Sequence, residues 1–469
     1  MQSDAAARQF GVLNIPFASN NQRVEILYVR VRKPNGTLID TPPADALEMP
    51  AEVTRQAPFY SDLKQKQIPV RNLALGDRLE YNLRIVTTRA ETPAQFWDQD
   101  TFGSGSVVLE ESLELHVPAD KYVQVWSPKH TPIVTQAGPE KIYRWTSSQL
   151  TPITGPPGEA ARKAAPPAPE EGELAAIQWT TFKSWQDVGA WYRTLEADRA
   201  LPDADVKAKV AELIAGKTTD QQKREAIYTY VATQIRYIGV AFGVGRYQPH
   251  PAGEILRNQY GDCKDKHTLL AAMFAAAGIP SDAALIGAGI PMNPDVPSPS
   301  AFNHLITAVP EAGKIVWLDS TAEVAPYGML IFPIRDKRAL LVPDHNAAMI
   351  ERTPARLPFP AFQTFEAIGS LDPEGTVTSH MTYTMRGDAE VMTWIALRQV
   401  SPGQWEQFGQ AFSQGLGFAG PPQTGHRSRE ARRPQRSPEP PHPARRPRPR
   451  RKLRVHGPAQ RSPRSRRPG

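Results

Sequence analysis

Cysteine is almost missing from this chain, with one residue in 469. A lone cysteine closes no internal disulfide and builds no Cys-rich zinc module, which excludes the stapled mini-protein class. No uninterrupted apolar run is long enough to span a bilayer, so no membrane-spanning helix is expected. The N-terminus, Met1-Gln2-Ser3-Asp4-Ala5-Ala6-Ala7-Arg8, lacks the basic-then-apolar order of a secretory signal. No Gly-x-Ser-x-Gly elbow occurs, which disfavours a serine hydrolase. Gly239, Gly243 and Gly245 are wrongly spaced for a phosphate loop and precede no Lys-Ser/Thr, and nothing resembles a calcium loop.

Charge is present but unevenly placed. Lys and Arg number 55 against 48 Asp and Glu, a formal +7. Residues 421–469 hold 15 Arg and one Lys against Glu430 and Glu439, a local +14, which leaves 1–420 at −7. That tail carries 12 Pro and almost no aliphatic residues, so it buries too little surface to offset chain entropy and is expected to be disordered. Arg-rich runs bind phosphates. Here no aromatic residues interleave to stack bases, and no specific nucleic-acid partner is expected. The abrupt change at about Gly420 is also what a shifted reading frame in GC-rich coding DNA produces.

The first 150 residues read as β. Leu79, Tyr81, Leu83 and Ile85 alternate with polar residues, as do Leu113, Leu115 and Val117, the period of half-buried antiparallel strands. Val24 to Lys33, Pro34-Asn35-Gly36 and Thr37 to Ile39 read as strand, turn and strand, and a β-sandwich is the expected packing. Six prolines lie between Pro152 and Gly172 with neither periodicity, which predicts a linker or long loop. From Phe182 the spacing turns helical, with Trp185, Val188, Trp191, Tyr192 and Leu195 on one stripe. Further helices are expected over about 223–237 and from Asp262 to Gly278, the latter with Leu270, Met273, Phe274 and Ala277 as its apolar stripe. Short strands follow at 283–287, 303–309, 314–318 and 376–385, then a short helix near Trp405.

The single cysteine stands in Tyr260-Gly261-Asp262-Cys263-Lys264-Asp265-Lys266, at the first turn of the third helix. Free N–H groups and the positive end of the helix dipole favour thiolate there and can bind an oxyanion. The flanking charges of Asp262, Lys264, Asp265 and Lys266 argue against a merely packed core cysteine. Downstream, a hairpin turning on Glu311-Ala312-Gly313 would set His304 directly across from Asp319. An Asp beside a His fixes its tautomer and stabilises the imidazolium, giving a nucleophile–base–orienter set. His267, four residues after Cys263, reads as an ordinary helix-surface histidine. The alternative metal set of Cys263, His267, His304 and Asp319 is disfavoured, because zinc needs four converging ligands and only three of these are motif residues. For the second oxyanion donor Gln248, Tyr247 and Gln234 remain open.

Gly261-Asp262-Cys263-Lys264-Asp265-Lys266 with Leu269-Leu270 and Gly278-Ile279, then Phe302-Asn303-His304-Leu305-Ile306, then Trp317-Leu318-Asp319-Ser320-Thr321 together resemble the transglutaminase-like superfamily. The resemblance is to its bacterial subtype in which a β-sandwich domain of unknown function precedes a papain-like domain. It runs from about residue 10 to about 419; Ser320 departs from it, standing where Pro is common. It implies Cys263 as nucleophile, His304 as general base and acid, and Asp319 as orienter, with no cofactor and no metal.

The expected fold is α+β: a β-sandwich over 1–150, a linker over 151–175, a transglutaminase-like catalytic domain over 176–345, a β-rich region over 346–419 and a disordered basic tail over 420–469. The expected activity is thiol acyl transfer on peptide or carboxamide bonds of a peptide or protein substrate, hydrolytic rather than cross-linking. The alternative is a non-catalytic binding or scaffold protein. Relatives of this subtype are exported, which implies a periplasmic location and a start that lies upstream of Met1.

Overall fold

Alternating apolar residues build the N-terminal layers, and their partners decide which faces close. The computed structural model describes residues 1–103, 107–151, 174–240, 247–373, 377–415 and 452–459. A short helix, α1 (Asp4–Gln9), capped by the Ser3 hydroxyl, leads into β1 (Val12–Ala18). Then come β2 (Gln22–Arg32), β3 (Leu38–Thr41), β4 (Leu47–Pro50), α2 (Glu52–Gln56), β5 (Leu63–Pro69) and β6 (Arg78–Thr87). They form two three-stranded sheets, β1-β5-β4 and β3-β2-β6. Leu13, Ile15 and Phe17 of one sheet meet Val24, Val29 and Val31 of the other, with Ile68 between them. Facing apolar sides of two sheets are a small sandwich.

A second sandwich follows from β7 (Trp97–Asp100), β8 (Val108–Pro118), β9 (Gln124–Trp126), β10 (Ile133–Ala137), β11 (Glu140–Gln149) and β12 (Ile177–Thr180). Its sheets are β10-β11-β8 and β7-β12-β9, and Val117, Tyr143, Trp145, Ile177 and Trp179 share its core. Strand β12 comes from beyond the Pro-rich segment, so both sides of that segment belong to one sandwich. The linker reading itself falls, but for its ends, outside the described residues, as do Gly243 and Gly245.

The helical periodicity after Phe182 yields α3 (Trp185–Glu196), with Ser184 accepting the Asp187 N–H as its cap. Next are α4 (Ala204–Ile214) and α5 (Asp220–Gln234), the latter closed by a Thr219/Gln222 capping box. A two-residue parallel bridge, β13 (Arg236–Tyr237) with β14 (Tyr260–Gly261), brackets α6 (Ala252–Asn258). Of the helices here that the sequence reading did not expect, α4 and α6 have plain physical reasons. Helix α4 buries only Val206 and Val210, and α6 has seven residues, starting after Pro251 and ending at Gln259 in the left-handed region.

Helix α7 (Cys263–Ala276) is the central element, packed against α4, α5, α6 and the sheet. That sheet is antiparallel in the order β17-β16-β15-β18-β19, from β15 (Asp282–Ile286), β16 (His304–Glu311), β17 (Lys314–Leu318), β18 (Arg338–Val342) and β19 (Met349–Arg352). The β16–β17 turn differs from expectation. Glu311 pairs with Lys314 across a two-residue turn, so Thr307 faces Leu318 and the register is shifted by two residues. Ala312 and Gly313 both have positive φ, 46° and 81°, the requirement of a type I′ turn, which matches the strand twist better than a three-residue loop.

The described chain divides into two compact units, 1–321 with 333–355 and 322–332 with 356–469. The second contains β20 (Phe362–Leu371), β21 (Val377–Arg386), α8 (Asp388–Gln399) and α9 (Trp405–Gly415). Its small core joins Ala322, Ala325, Met329 and Val391. One part of the tail expected to be disordered is a strand, β22 (Lys452–Ala459), paired antiparallel with β21. It holds the only Leu and Val of the tail, Leu453 and Val455, the period-two pair that a strand needs. The rest of 416–469 lies outside the described residues.

Candidate active site

The N-terminus of α7 is built by short-range bonding. Asp262 is its N-cap and accepts the Asp265 N–H at 3.2 Å, while Asp265 accepts the Asp262 N–H at 3.4 Å, a reciprocal capping box. Ile238 N–H donates to Gly261 O at 2.9 Å, fixing how the chain enters the helix. Gly261 has to be glycine, since a Cβ there would stand 2.5 Å from that of Asp265. Cys263 is the first helical residue and only 2% exposed.

The flanking charges do not keep this turn at the surface as expected. Asp262, Lys264, Asp265 and Lys266 are fully buried, which is possible because each is partnered. Lys264 Nζ pairs with Asp262, and Lys266 Nζ donates to the backbone oxygens of Ala232 and Ile235 at the end of α5, at 3.2 and 2.6 Å. Asp265 accepts from the N–H and Nδ1 of His250 at 2.9 and 3.1 Å. Burial, only partly offset by Lys264, pushes Asp262 up to about 6. Burial would also raise Asp265, but the His250 bond and Lys264 hold it below the ordinary carboxylate value.

His304 opens β16, and Asp319 follows the last residue of β17. They are not directly opposed, because of the two-residue shift. An even shift keeps both side chains on one face, and diagonal neighbours remain within reach. His304 Nε2 lies 3.2 Å from Asp319 Oδ2. Thr321 holds the other carboxylate oxygen with its N–H at 2.9 Å and its hydroxyl at 2.6 Å, and the Tyr228 hydroxyl donates to the Asp319 carbonyl at 3.0 Å. The Cys263 side chain lies near enough to the His304 ring to contribute to the rise in its pKa. Burial disfavours the imidazolium, but Asp319 and Cys263 outweigh it and raise His304 to about 10. Burial likewise opposes the Asp319 carboxylate, yet His304 and Thr321 hold its pKa below the ordinary value. The structure thus brings Cys263 and a hydrogen-bonded His304–Asp319 pair to one place.

The oxyanion candidates separate. Gln234 is exposed and its amide donates to neighbouring Thr233. Gln248 reaches Leu195 O at 3.4 Å and lines a different recess with Asn20 and Glu91. Tyr247 alone joins the apolar cluster that contains Cys263. Its ring packs on Trp191 at 5.0 Å, and burial pushes its phenol up to about 12.

His267 is a correction. It is buried, not on the surface, with Nδ1 2.7 Å from Thr307 Oγ1 and Nε2 2.7 Å from Glu196 Oε1. Both ring nitrogens are therefore engaged away from Cys263, His304 and Asp319. With Glu196 and Arg193 it lines a cavity of about 570 Å³ that Cys263 does not line. Among the described residues no group of His, Cys, Asp or Glu is arranged to hold a metal ion.

Sequence reasoning missed two tyrosines of the site. Tyr192 and Tyr237 pack in the cluster that holds Cys263, and burial raises both phenols well above the ordinary value. Tyr237 is placed by its pairing with Gly261. The available signal was their occurrence among aromatic residues before the cysteine, read there as core stripe and helix end.

A cysteine opening a buried helix, followed by an antiparallel sheet that carries a His–Asp pair, is the arrangement that the resemblance to the transglutaminase-like superfamily implies. Residues 207–285 match the model of the transglutaminase-like superfamily, and residues 1–154 match a domain of unknown function with a solved structure, DUF3857. The chain carries a transglutaminase-like core behind a DUF3857 domain. His304 and Asp319 lie beyond the matched residues. Among solved structures, a candidate protease from Parabacteroides distasonis ATCC 8503 is similar at a TM-score of 0.62 and 18% identity over 76% of this chain. This chain spans 66% of that one, just under two thirds. A candidate cysteine protease from Cytophaga hutchinsonii matches at a TM-score of 0.24 and 11% identity, over 55% of this chain and 84% of its own. No curated protein matches the chain.

Proposed function

We propose that the chain is a thiol acyl-transfer enzyme acting on peptide or carboxamide bonds. The observation that carries this reading is the run from Cys263, at a helix N-terminus, through His304 to Asp319. His304 takes the Cys263 thiol proton, the sulfur attacks the carbonyl carbon, and the carbonyl oxygen takes the negative charge. Capping takes the Asp265 N–H, and Lys266 N–H bonds back to Asp262 O. The amides of Cys263 and Lys264 are the remaining first-turn donors for that oxyanion. His304 gives its proton to the departing amine, leaving a thioester. His304 then takes a proton from water, hydroxide adds to the thioester, and the acid is released with the thiol restored. Hydrolysis is favoured over amine transfer by the resemblance to bacterial relatives.

The rival reading, a non-catalytic binding module, is favoured by one observation, the near-complete burial of Cys263 and His304. The two differ in outcome for Cys263→Ala tested on a casein digest by mass spectrometry. The enzyme reading expects peptide cleavage by the wild type and none by the variant. Equal cleavage by both proteins sinks it.

A further inference from the structure

The triad leaves Asp265, His250 and the N-terminal domain without a role, and these three meet at one point. After α2, Pro58–Tyr60 make a single 3-10 turn whose side chains pack with Ile238, Val240 and Tyr260, the chain on either side of α6. The Phe59 ring stacks on the His250 ring at 4.1 Å and 12°, and its N–H donates to the Tyr260 hydroxyl at 3.2 Å. Tyr60 is 2% exposed. Its hydroxyl donates to Asp265 Oδ2 at 3.0 Å, across 205 residues of sequence, and Lys264 Nζ lies over its ring at 6.0 Å. Burial, reinforced by the Asp262 and Asp265 charges, holds this phenol far above its ordinary value, so it remains a donor.

Asp265 is the carboxylate that closes the capping box on Asp262, the residue before Cys263. Without Tyr60 that carboxylate would keep His250 as its only side-chain donor among the bonds described. We infer that Tyr60 of the N-terminal domain is a positioning residue for Cys263, acting through Asp265 and Asp262 on the turn that aims the sulfur at His304. The N-terminal domain thereby completes the active site of the core rather than being only joined to it. The inference rests on the triad reading.

Tyr60→Phe tests it, because it keeps the ring against His250 and Lys264 and removes one hydrogen bond. The chain has a single cysteine, so iodoacetamide alkylation followed by intact mass reports Cys263 alone. The expected result is a folded variant with a melting point near that of the wild type. Its alkylation rate should fall about tenfold across the pH profile, because the turn that places the sulfur loses one hydrogen bond to a carboxylate. A purely structural role would lower the melting point and leave the rates unchanged. A folded Tyr60→Phe protein with wild-type rates overturns the inference. His304→Ala run alongside separates the failures: if it too alkylates like the wild type, the triad reading is lost, whereas a slow His304→Ala beside a wild-type-like Tyr60→Phe removes this inference alone.

Discussion

At the scale of single residues, the account turns on how buried charge is held. His304 and Asp319 are both inside and stay ionised because each is the other's partner, with Thr321 taking the second carboxylate oxygen. A histidine raised above its unfolded value stabilises the fold fully below about 6.5 and loses that contribution as pH rises through about 10. Asp319, lowered from 3.8, adds stability above that value and loses it on acidification. Asp319→Asn should therefore melt lower than the wild type at neutral pH, and the gap should narrow towards pH 10, a comparison made by calorimetry. In activity assays the same variant should lose on the order of 10²–10⁴ in kcat and bring the alkaline limb of its pH profile down from about 10. An unchanged limb would detach Asp319 from His304.

The residue types of this site were legible in the sequence, since Cys263, His304 and Asp319 are the only such set in their motifs. The burial of Lys264, Asp265 and Lys266 was not. Charged side chains read as solvated unless their partners are known, and here the partners are Asp262 for Lys264, backbone oxygens at the end of α5 for Lys266, and for Asp265 His250 and the distant Tyr60. For the same reason Gln248 and Gln234 looked as good as Tyr247. Local spacing does not say which way an amide turns.

At the scale of elements, the hairpin of β16 and β17 shows how far periodicity carries. The parity of His304 and Asp319 was readable, which put both on one face. The register was not, because it depends on whether the turn has two residues or three. The observed turn places Ala312 at a φ of 46°, a region unfavourable for an L-residue with a Cβ. Ala312→Asn, which tolerates that conformation and suits a type I′ turn, should stabilise the protein by about 0.5–1 kcal/mol. Thermal unfolding checks this, with Cys263 alkylation expected to be unaltered. A lower melting point would contradict the turn as described. Helices α4 and α6 were illegible because α4 has a narrow apolar stripe and α6 sits in Gly/Pro-rich sequence.

At the scale of the whole molecule, the strongest sequence signal and the strongest structural one differ. Composition divides the chain at about Gly420, into a −7 body and a +14 tail. Contacts divide it elsewhere, and one unit holds both sandwiches, α7, Cys263, His304 and Asp319. The Tyr60–Asp265 bond belongs to that unit, a contact too long-range for any local pattern to announce. The scarcity of cysteine gives this molecule a clean probe, since thiol alkylation of the chain reports Cys263 alone. The most direct test of the account is the iodoacetamide rate at pH 6 for wild type and His304→Ala. An imidazole that supports the sulfur predicts rapid alkylation of the wild type and a rate on the order of tenfold or more lower in the variant. Equal rates in two folded proteins would contradict the triad.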